Sequence, residues 1–378
     1  MKSRHLSLLL IAFLCIPSLQ AHQIAPDWEE LLRTKLNSAL GSKAFSIEVL
    51  QVNTDKKELT GVGTFFKKSG ITFTAAYEGD AQIGSFEAVL PENAKMSVSD
   101  GELKALAGQP LQNMLPDALS KSVYLERLQL QFSKSNKNLQ QVDLYFNALK
   151  NWELLSTANL ELEQVKVHIQ VDQPGDKQKR SVHGTLLGMT QIAGKTLDLS
   201  AALTDRKESL QLTGATEQLA FSGSLESLLG KKWDKGLDIP MPVLDLQLST
   251  AEITVAPYQD WMTLAANSNW GVVDLWLQKA DKKDSEYVIT ISPPAGFRLS
   301  TIHKKLKALD GIDLGQQKIV ISSADKDKKE SSKIPSLSDA AAAVKKGCSL
   351  MANLDLTKLK IDHLIGLKNL IVSSPLGA

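Results

Sequence analysis

The sequence predicts a mainly β fold with a few short helices, built from duplicated antiparallel β-sheet units. Three observations lead to this prediction. Apolar and polar residues alternate with a period of two over much of the chain, polar turn clusters recur every ~8–12 residues, and similar segments return after about 120 residues. The units are expected to be sandwich-like, or to form a curved sheet covered by helices.

The first segment, residues 1–21, reads as an export signal. A basic start at Lys2 and Arg4 precedes the apolar run "LSLLLIAFLCI", and the small residue Ala21 offers a cleavage point. The mature protein is therefore expected to be secreted or periplasmic. Only Cys348 would remain after cleavage, which leaves no intramolecular disulfide to support the fold.

Residues 22–44 are predicted to form an N-terminal amphipathic helix. In "PDWEELLRTKLNSALG", Asp27 can cap the helix, Glu30 can complete a capping box and Gly41 can end it. The apolar positions recur at helical spacing, so one face is expected to pack on the sheet.

The strands are recognised by strict alternation between polar turns. In "VKVHIQV", Val165 to Val171 place every second side chain on one side and put His168 on the polar side. Segments such as "QPGD", "YEGD" and "KSNKN" have turn composition. His168 is therefore expected to be an exposed strand histidine.

Internal similarity divides the chain into unit 1 (residues 45–163), unit 2 (164–284) and a partial unit 3 (285–378). "GTFF", "FTAAY" and "LKALAG" return in the same order as "GTLL", "LSAAL" and "LESLLG". An Asn-Trp pair closes each series, at Trp152 and at Trp270. A repeat of this length is the size of a domain, which favours duplicated sheet units over a thin solenoid.

One segment of unit 3, residues 322–338, is charged and rich in serine. Its sequence, "SSADKDKKESSKIPSLS", shows no regular spacing of apolar residues. We therefore expect a solvated loop there.

Motifs for catalysis, cofactors and metals are missing from the sequence. There is no CxxC, HExxH, GxSxG, dinucleotide or Walker-type loop, and histidines stand singly. No catalytic, cofactor-binding or metal-binding residue is predicted. Flanking lysines could lower the thiol pKa of Cys348, but a buried cysteine in a strand is the favoured interpretation.

A short region rich in aromatic residues is the candidate binding surface. It contains Tyr258, Trp261, Trp270 and Trp276. Since Trp152 and Trp270 recur at matching points, a packing role in the core is favoured for them, with ligand stacking as the alternative.

Three functions remain open from the sequence. The leading hypothesis is an exported, non-enzymatic repeat protein acting as an interaction or structural module. The alternative is a carrier or conduit that binds lipid or another apolar ligand in a groove between sheet and helices. The third is a hydrolase whose site the sequence does not reveal.

The charge composition limits the classes of binding partner that we expect. Lys and Arg number 43 and Asp and Glu 42, a formal net charge of +1, so nucleic-acid binding is not expected. A protein or an apolar ligand is the expected partner. Peripheral membrane contact through the basic segment "IHKKLKAL" is possible, as is self-association through open sheet edges.

Overall fold

The computed structural model describes most of the chain after the predicted signal. The described residues are 27–40, 45–79, 82–91, 94, 96–97, 101–134, 138–204, 206–237, 239–279, 285–302, 304–310, 317–338, 342–355 and 369–375. The predicted signal peptide at residues 1–21, and the histidines His22, His303 and His363, lie outside them.

Strands account for 53% of the structure, which confirms a mainly β chain with a few short helices. The strands are β1 (Phe45–Asn53), β2 (Glu58–Phe65), β3 (Lys68–Glu78), β4 (Gln82–Val89), β5 (Met96–Ser97), β6 (Val123–Phe132), β7 (Leu139–Ala148), β8 (Trp152–Leu155), β9 (Leu160–Asp172), β10 (Ser181–Ile192), β11 (Lys195–Leu203), β12 (Leu212–Ala220), β13 (Gln247–Ala256), β14 (Trp261–Ser268), β15 (Gly271–Lys279), β16 (Ser285–Ser292), β17 (Gln317–Ser322), β18 (Gly347–Asp355) and β19 (Asn369–Pro375). The α-helices are α1 (Trp28–Leu40), α2 (Gly101–Ala107), α3 (Phe221–Leu229), α4 (Met241–Leu244) and α5 (Lys328–Ser331).

Eighteen of these strands form one antiparallel sheet. Nearly every strand pairs with the next one in the chain, so the sheet is a long meander. Two short strands interrupt it: β5 pairs with β6 beyond the end of β4, and β8 pairs with β9 in a separate ladder beyond the end of β7. Local pairing of this kind needs only tight turns. At the turn between β10 and β11, Ala193 and Gly194 both have positive φ (51° and 73°), as a two-residue hairpin turn requires.

One face of the sheet, the inner face, carries the main apolar core. In β3, Ile71, Phe73, Ala75 and Tyr77 are buried while the residues between them are exposed, which is the pattern of a strand with one covered face. The buried inner-face side chains join into one continuous cluster from α1 to β18. Helices α1, α2 and α3 contribute to that cluster, so the sheet is covered by its own connections.

The opposite, outer face is polar along most of the sheet, but not at β15 to β18. Here the described residues between β17 and β18, 323–338 and 342–346, fold back over the sheet, and we call them the outer cover. Its Ile334, Leu337 and Val344 bury Val288 and Val320 in a second apolar cluster. Most of the segment 322–338, for which we expected a solvated loop, is exposed or partly exposed, but Ile334 and Leu337 are fully buried because they pack against the strands beneath them.

Polar contacts attach the outer cover to the strands beneath it. Lys326, only 8% exposed, forms an ion pair with Glu286, and its ammonium lies 5.7 Å from the centroid of the Trp276 ring. Lys318 donates to the main-chain oxygen of Ser336. A buried lysine needs such a partner, because an unpaired charge in an apolar setting is costly.

Strand β1 forms an edge of the sheet in the described part of the chain. It pairs with β2 along one side only, and its Val49 and Val52 are 53% and 45% exposed. Gly61 and Gly63 of β2 lie so close to the β1 backbone that an added Cβ would be 2.2 Å and 2.3 Å from the oxygens of Val49 and Ser46.

Candidate functional site

The four aromatic residues of the predicted binding surface do not converge on one site. Trp270 is 6% exposed and packs in the main core, with its ring 5.5 Å from that of Phe297. Trp276 lies on the outer face, against the outer cover. Trp261 begins β14 and donates from its indole nitrogen to Gln259 at 2.6 Å.

The remaining aromatic residue, Tyr258, lies in the turn between β13 and β14. It lines a recess of about 250 Å³ together with Trp152 and three acidic residues, Asp117, Glu153 and Asp260. The Tyr258 hydroxyl accepts from the Asp117 amide at 3.1 Å. This bond attaches a turn of the second half of the chain to the first half, which is a structural role.

A larger cavity of about 790 Å³ lies beside α1, and we call it the α1 cleft. Four segments that are distant in sequence form its walls: the second half of α1, Leu106 of α2, the turn between β6 and β7, and the turn between β9 and β10. Its volume lies within the range of small-molecule sites. The apolar part of the wall consists of Ala39, Leu40, Leu106, Phe132, Leu139 and Pro174.

Helix α1 is held in place by its cap, its apolar face and an asparagine. Asp27 accepts from the Glu30 amide at 3.1 Å, as the sequence predicts. Leu32 and Leu36 are fully buried in the core. Asn37 bonds both ways with the Phe45 main chain, donating to its oxygen at 3.1 Å and accepting from its amide at 2.9 Å.

A second recess of about 480 Å³ lies along α1 nearer to the start of the helix. Residues one helical turn apart line it, including Leu31, Lys35 and Ser38, and the sheet contributes Gln82 and Ile83. Lys35 and Ser38 also line the α1 cleft. The two open spaces therefore adjoin at these two side chains.

Two lysine side chains line the α1 cleft. The Lys35 ammonium lies 4.6 Å from the Phe132 ring centroid, and Lys179 lies 3.8 Å from the Asp176 carboxylate. Behind the wall, Arg180 donates to the Pro174 main-chain oxygen.

Arg180 packs against the end of α2, where only a glycine leaves room for it. An added Cβ at Gly108 would lie 1.6 Å from an Arg180 Nη atom, and Gly108 has φ of +74°. The Nε atom of Arg180 is buried with no hydrogen-bond partner among the described residues. The glycine thus leaves the space that the guanidinium occupies behind the wall of the α1 cleft.

The outer face holds a polar network that the sequence did not reveal. His168 lies on the polar side of β9 as predicted, but its side chain is only 32% exposed and bonds to Asp143 at 2.8 Å. Its ring stacks on Tyr145, with centroids 4.5 Å apart, and Arg127 covers the other side of Tyr145 at 4.0 Å. Burial raises the pKa of Tyr145, and the nearby Asp143 charge adds to this.

This network brings together residues of four strands because the register aligns them. Tyr145 pairs with both Arg127 and His168, on the strands to either side. Gln141 donates to Asp143 at 2.8 Å, and Gln129 donates to Glu87. A single sequence could suggest the polar face, but not which residues would share a row, since that depends on the register. The network satisfies its own hydrogen bonds, which is typical of cross-strand stabilisation.

The thiol of Cys348 lies within β18, as the favoured sequence interpretation expected. It is 4% exposed, and burial raises its pKa to about 12. Such a thiol is protonated at neutral pH, and the thiolate is the reactive form.

In the described part of the chain, the His, Cys, Asp and Glu residues contain no group of three or more that could hold a metal ion. None of its helices is both long and apolar enough to cross a membrane.

Comparisons of the chain with protein-family models, curated proteins and solved structures find no match. Functional evidence therefore comes from the residues of this chain alone.

Proposed function

We propose that the protein is an exported, non-enzymatic carrier that binds an apolar ligand between its sheet and helix α1. The observation that carries the proposal is the α1 cleft, a space of about 790 Å³ with a partly apolar wall. An apolar wall contributes binding free energy in proportion to the apolar surface that the ligand and the wall bury together. The amides of Asn138, Gln140 and Gln173 on the same wall can orient a polar end of the ligand.

The side chains around the α1 cleft suit binding better than bond cleavage. Among the described residues, its polar side chains are amides, hydroxyls, lysines and one carboxylate, Asp176. Acid–base catalysis usually needs a pair of titrating groups whose environments separate their pKa values. The hydrolase alternative stays a prediction, and a panel of ester, glycoside and peptide substrates can test it.

We also propose that the sheet arose by duplication of a unit of about 120 residues. The order of elements supports this: β2, β3, β4, α2, β6, β7 and Trp152 follow one another as do β10, β11, β12, α3, β13, β14 and Trp270. Both tryptophans are 6% exposed. Strand β5 has no counterpart, and Trp152 begins β8 whereas Trp270 precedes β15.

The carrier proposal is tested by filling the α1 cleft. Ser38→Trp places an indole at a position that lines the cleft, and Glu29→Trp adds the same side chain to an exposed position of α1 outside both recesses. Native mass spectrometry and organic extraction of the purified proteins are compared. We expect wild type and Glu29→Trp to carry an extractable apolar molecule that Ser38→Trp lacks. Equal extracts from all three, or empty wild-type protein, would contradict the proposal.

A second candidate function, an interaction or structural module that self-associates, is favoured by the β1 edge. An edge strand with exposed valines is a template for pairing with another strand. Val49→Lys is expected to shift sedimentation from a dimer or larger assembly to the monomer. Monomeric wild-type protein at high concentration would count against the module.

A further inference from the structure

We propose that the ligand of the α1 cleft is a single-chain amphiphile whose head group is anionic, such as a fatty acid carboxylate. This inference rests on the proposed carrier function and specifies the ligand class. The juxtaposition behind it is a cationic end, formed by Lys35 and Lys179, beside an apolar wall formed by Leu106, Phe132 and Leu139.

The position of Lys35 is the first argument. Its side chain lines both the α1 cleft and the adjoining second recess. Its ammonium lies over the Phe132 ring, so the charge is at the boundary between the polar and apolar parts of the wall. A carboxylate bound there would place its chain along the ring and the adjoining leucines.

The local charge balance is the second argument. Among the described side chains on the wall, Lys35 and Lys179 are the cations, and Asp176, 3.8 Å from Lys179, is the one carboxylate. The described wall thus has one formal positive charge in excess, in a protein whose total formal charge is +1. Arg180 lies behind the wall, where it donates to the Pro174 main-chain oxygen and Gly108 leaves room for its guanidinium.

The charges along α1 orient the ligand. Asp27 and Glu30 line the second recess near the start of the helix. Arg33 forms an ion pair with Glu30, which leaves the Asp27 carboxylate to repel an anion at that end. The attractive lysine follows more than one helical turn later. An anionic head group is therefore favoured at Lys35 and disfavoured toward the helix start.

The volume of the cavity argues for one chain. About 790 Å³ is within the range for one ligand of drug size, and helix α1 forms one wall of that space. The helix is anchored there by Leu32 and Leu36, both fully buried.

The test uses titration calorimetry of the full mature chain, first stripped of bound molecules by organic extraction and refolded, with sodium laurate as the probe. Dodecanol and dodecyltrimethylammonium have the same chain with no charge and with positive charge. We expect laurate to bind at one site and at least about tenfold more tightly than the cationic analogue. Decanoate should bind about tenfold more weakly than laurate, because two methylenes are lost.

Variants locate the head group. Lys35→Met and Lys179→Met keep much of the side-chain stem and remove the charge, and each is expected to weaken laurate binding about three- to tenfold. Lys195→Met, at the exposed first position of β11, is the matched control and should bind like wild type. Circular dichroism confirms that each variant is folded.

The outcomes separate this inference from the carrier proposal. Equal affinity for all three head groups, or no loss in the Lys35 and Lys179 variants, would overturn the anionic assignment and leave a carrier of neutral apolar ligands. Binding to phosphatidylglycerol vesicles without binding of free laurate would also overturn it. If wild-type protein also yields no extractable ligand when it is first purified, the carrier function itself fails.

Discussion

Replacement of Trp270 by alanine tests the packing of the sheet most directly. The residue stands between β14 and β15, is 6% exposed and packs within the main core beside Phe297. The sequence leaves two roles open for it, a core anchor or a ligand platform. The structure places its ring in the core, so the change is expected to affect the free energy of unfolding.

The expected loss can be worked from the buried surface. A large aromatic side chain buries about 150–250 Å², which corresponds to about 4–6 kcal/mol at ~25 cal/mol per Å². Alanine retains part of that burial, and the ring contact with Phe297 adds about 0.5–1.5 kcal/mol. Trp270→Ala should therefore destabilise the protein by about 3–5 kcal/mol.

Urea denaturation followed by far-UV circular dichroism measures this difference. Trp261→Ala is the matched control, because that indole is partly exposed at the start of β14. We expect it to cost less than about 1.5 kcal/mol, and Trp152→Ala, equally buried at 6% exposure, to resemble Trp270→Ala. A loss below about 1 kcal/mol for Trp270→Ala would refute the core assignment, and the shared packing role in the two units would lose its support.

Three further predictions follow from other sites. Gly108→Ala should cost about 1–2 kcal/mol more than Gly236→Ala, because both have positive φ but only the first displaces Arg180; equal melting shifts would contradict this. Ile334→Asp puts a carboxylate into the apolar cluster under the outer cover, so the segment should become sensitive to limited proteolysis, and an unchanged digestion pattern would be evidence against that packing. Because burial raises the pKa of Cys348 to about 12, iodoacetamide at pH 8 should label the thiol only as the protein unfolds; rapid labelling of folded protein would show that the thiol is accessible.

Local features of the sequence predicted many elements well. The capped helix at Asp27, the strand through Val165 and the burial of Cys348 all appear in the structure. Each depends on residues close together in the chain: a side-chain cap, a period of two, or an apolar strand segment. Such signals need no knowledge of distant partners.

The candidate site could not be predicted from signals between residues that are close together in the chain. Its walls combine Lys35, Leu106, Phe132 and Lys179, and no sequence spacing relates them. The aromatic residues of the predicted binding surface are divided between the two faces of the sheet. Trp270 lies before β15 and packs inward, whereas Trp276 faces outward. Proximity in sequence is a poor guide where successive side chains alternate sides.

The burial of apolar residues in the outer cover also could not be predicted from the local sequence. Ile334 and Leu337 stand in a charged segment without apolar period, yet they are fully buried because Val288 and Val320 face them. By itself the sequence determined where strands, turns and the first helix lie, since hydrogen-bonding geometry and side-chain alternation act over a few residues. The tertiary structure alone decided which surfaces meet, because the free energy of burial depends on what lies opposite a side chain, wherever in the chain that partner comes from.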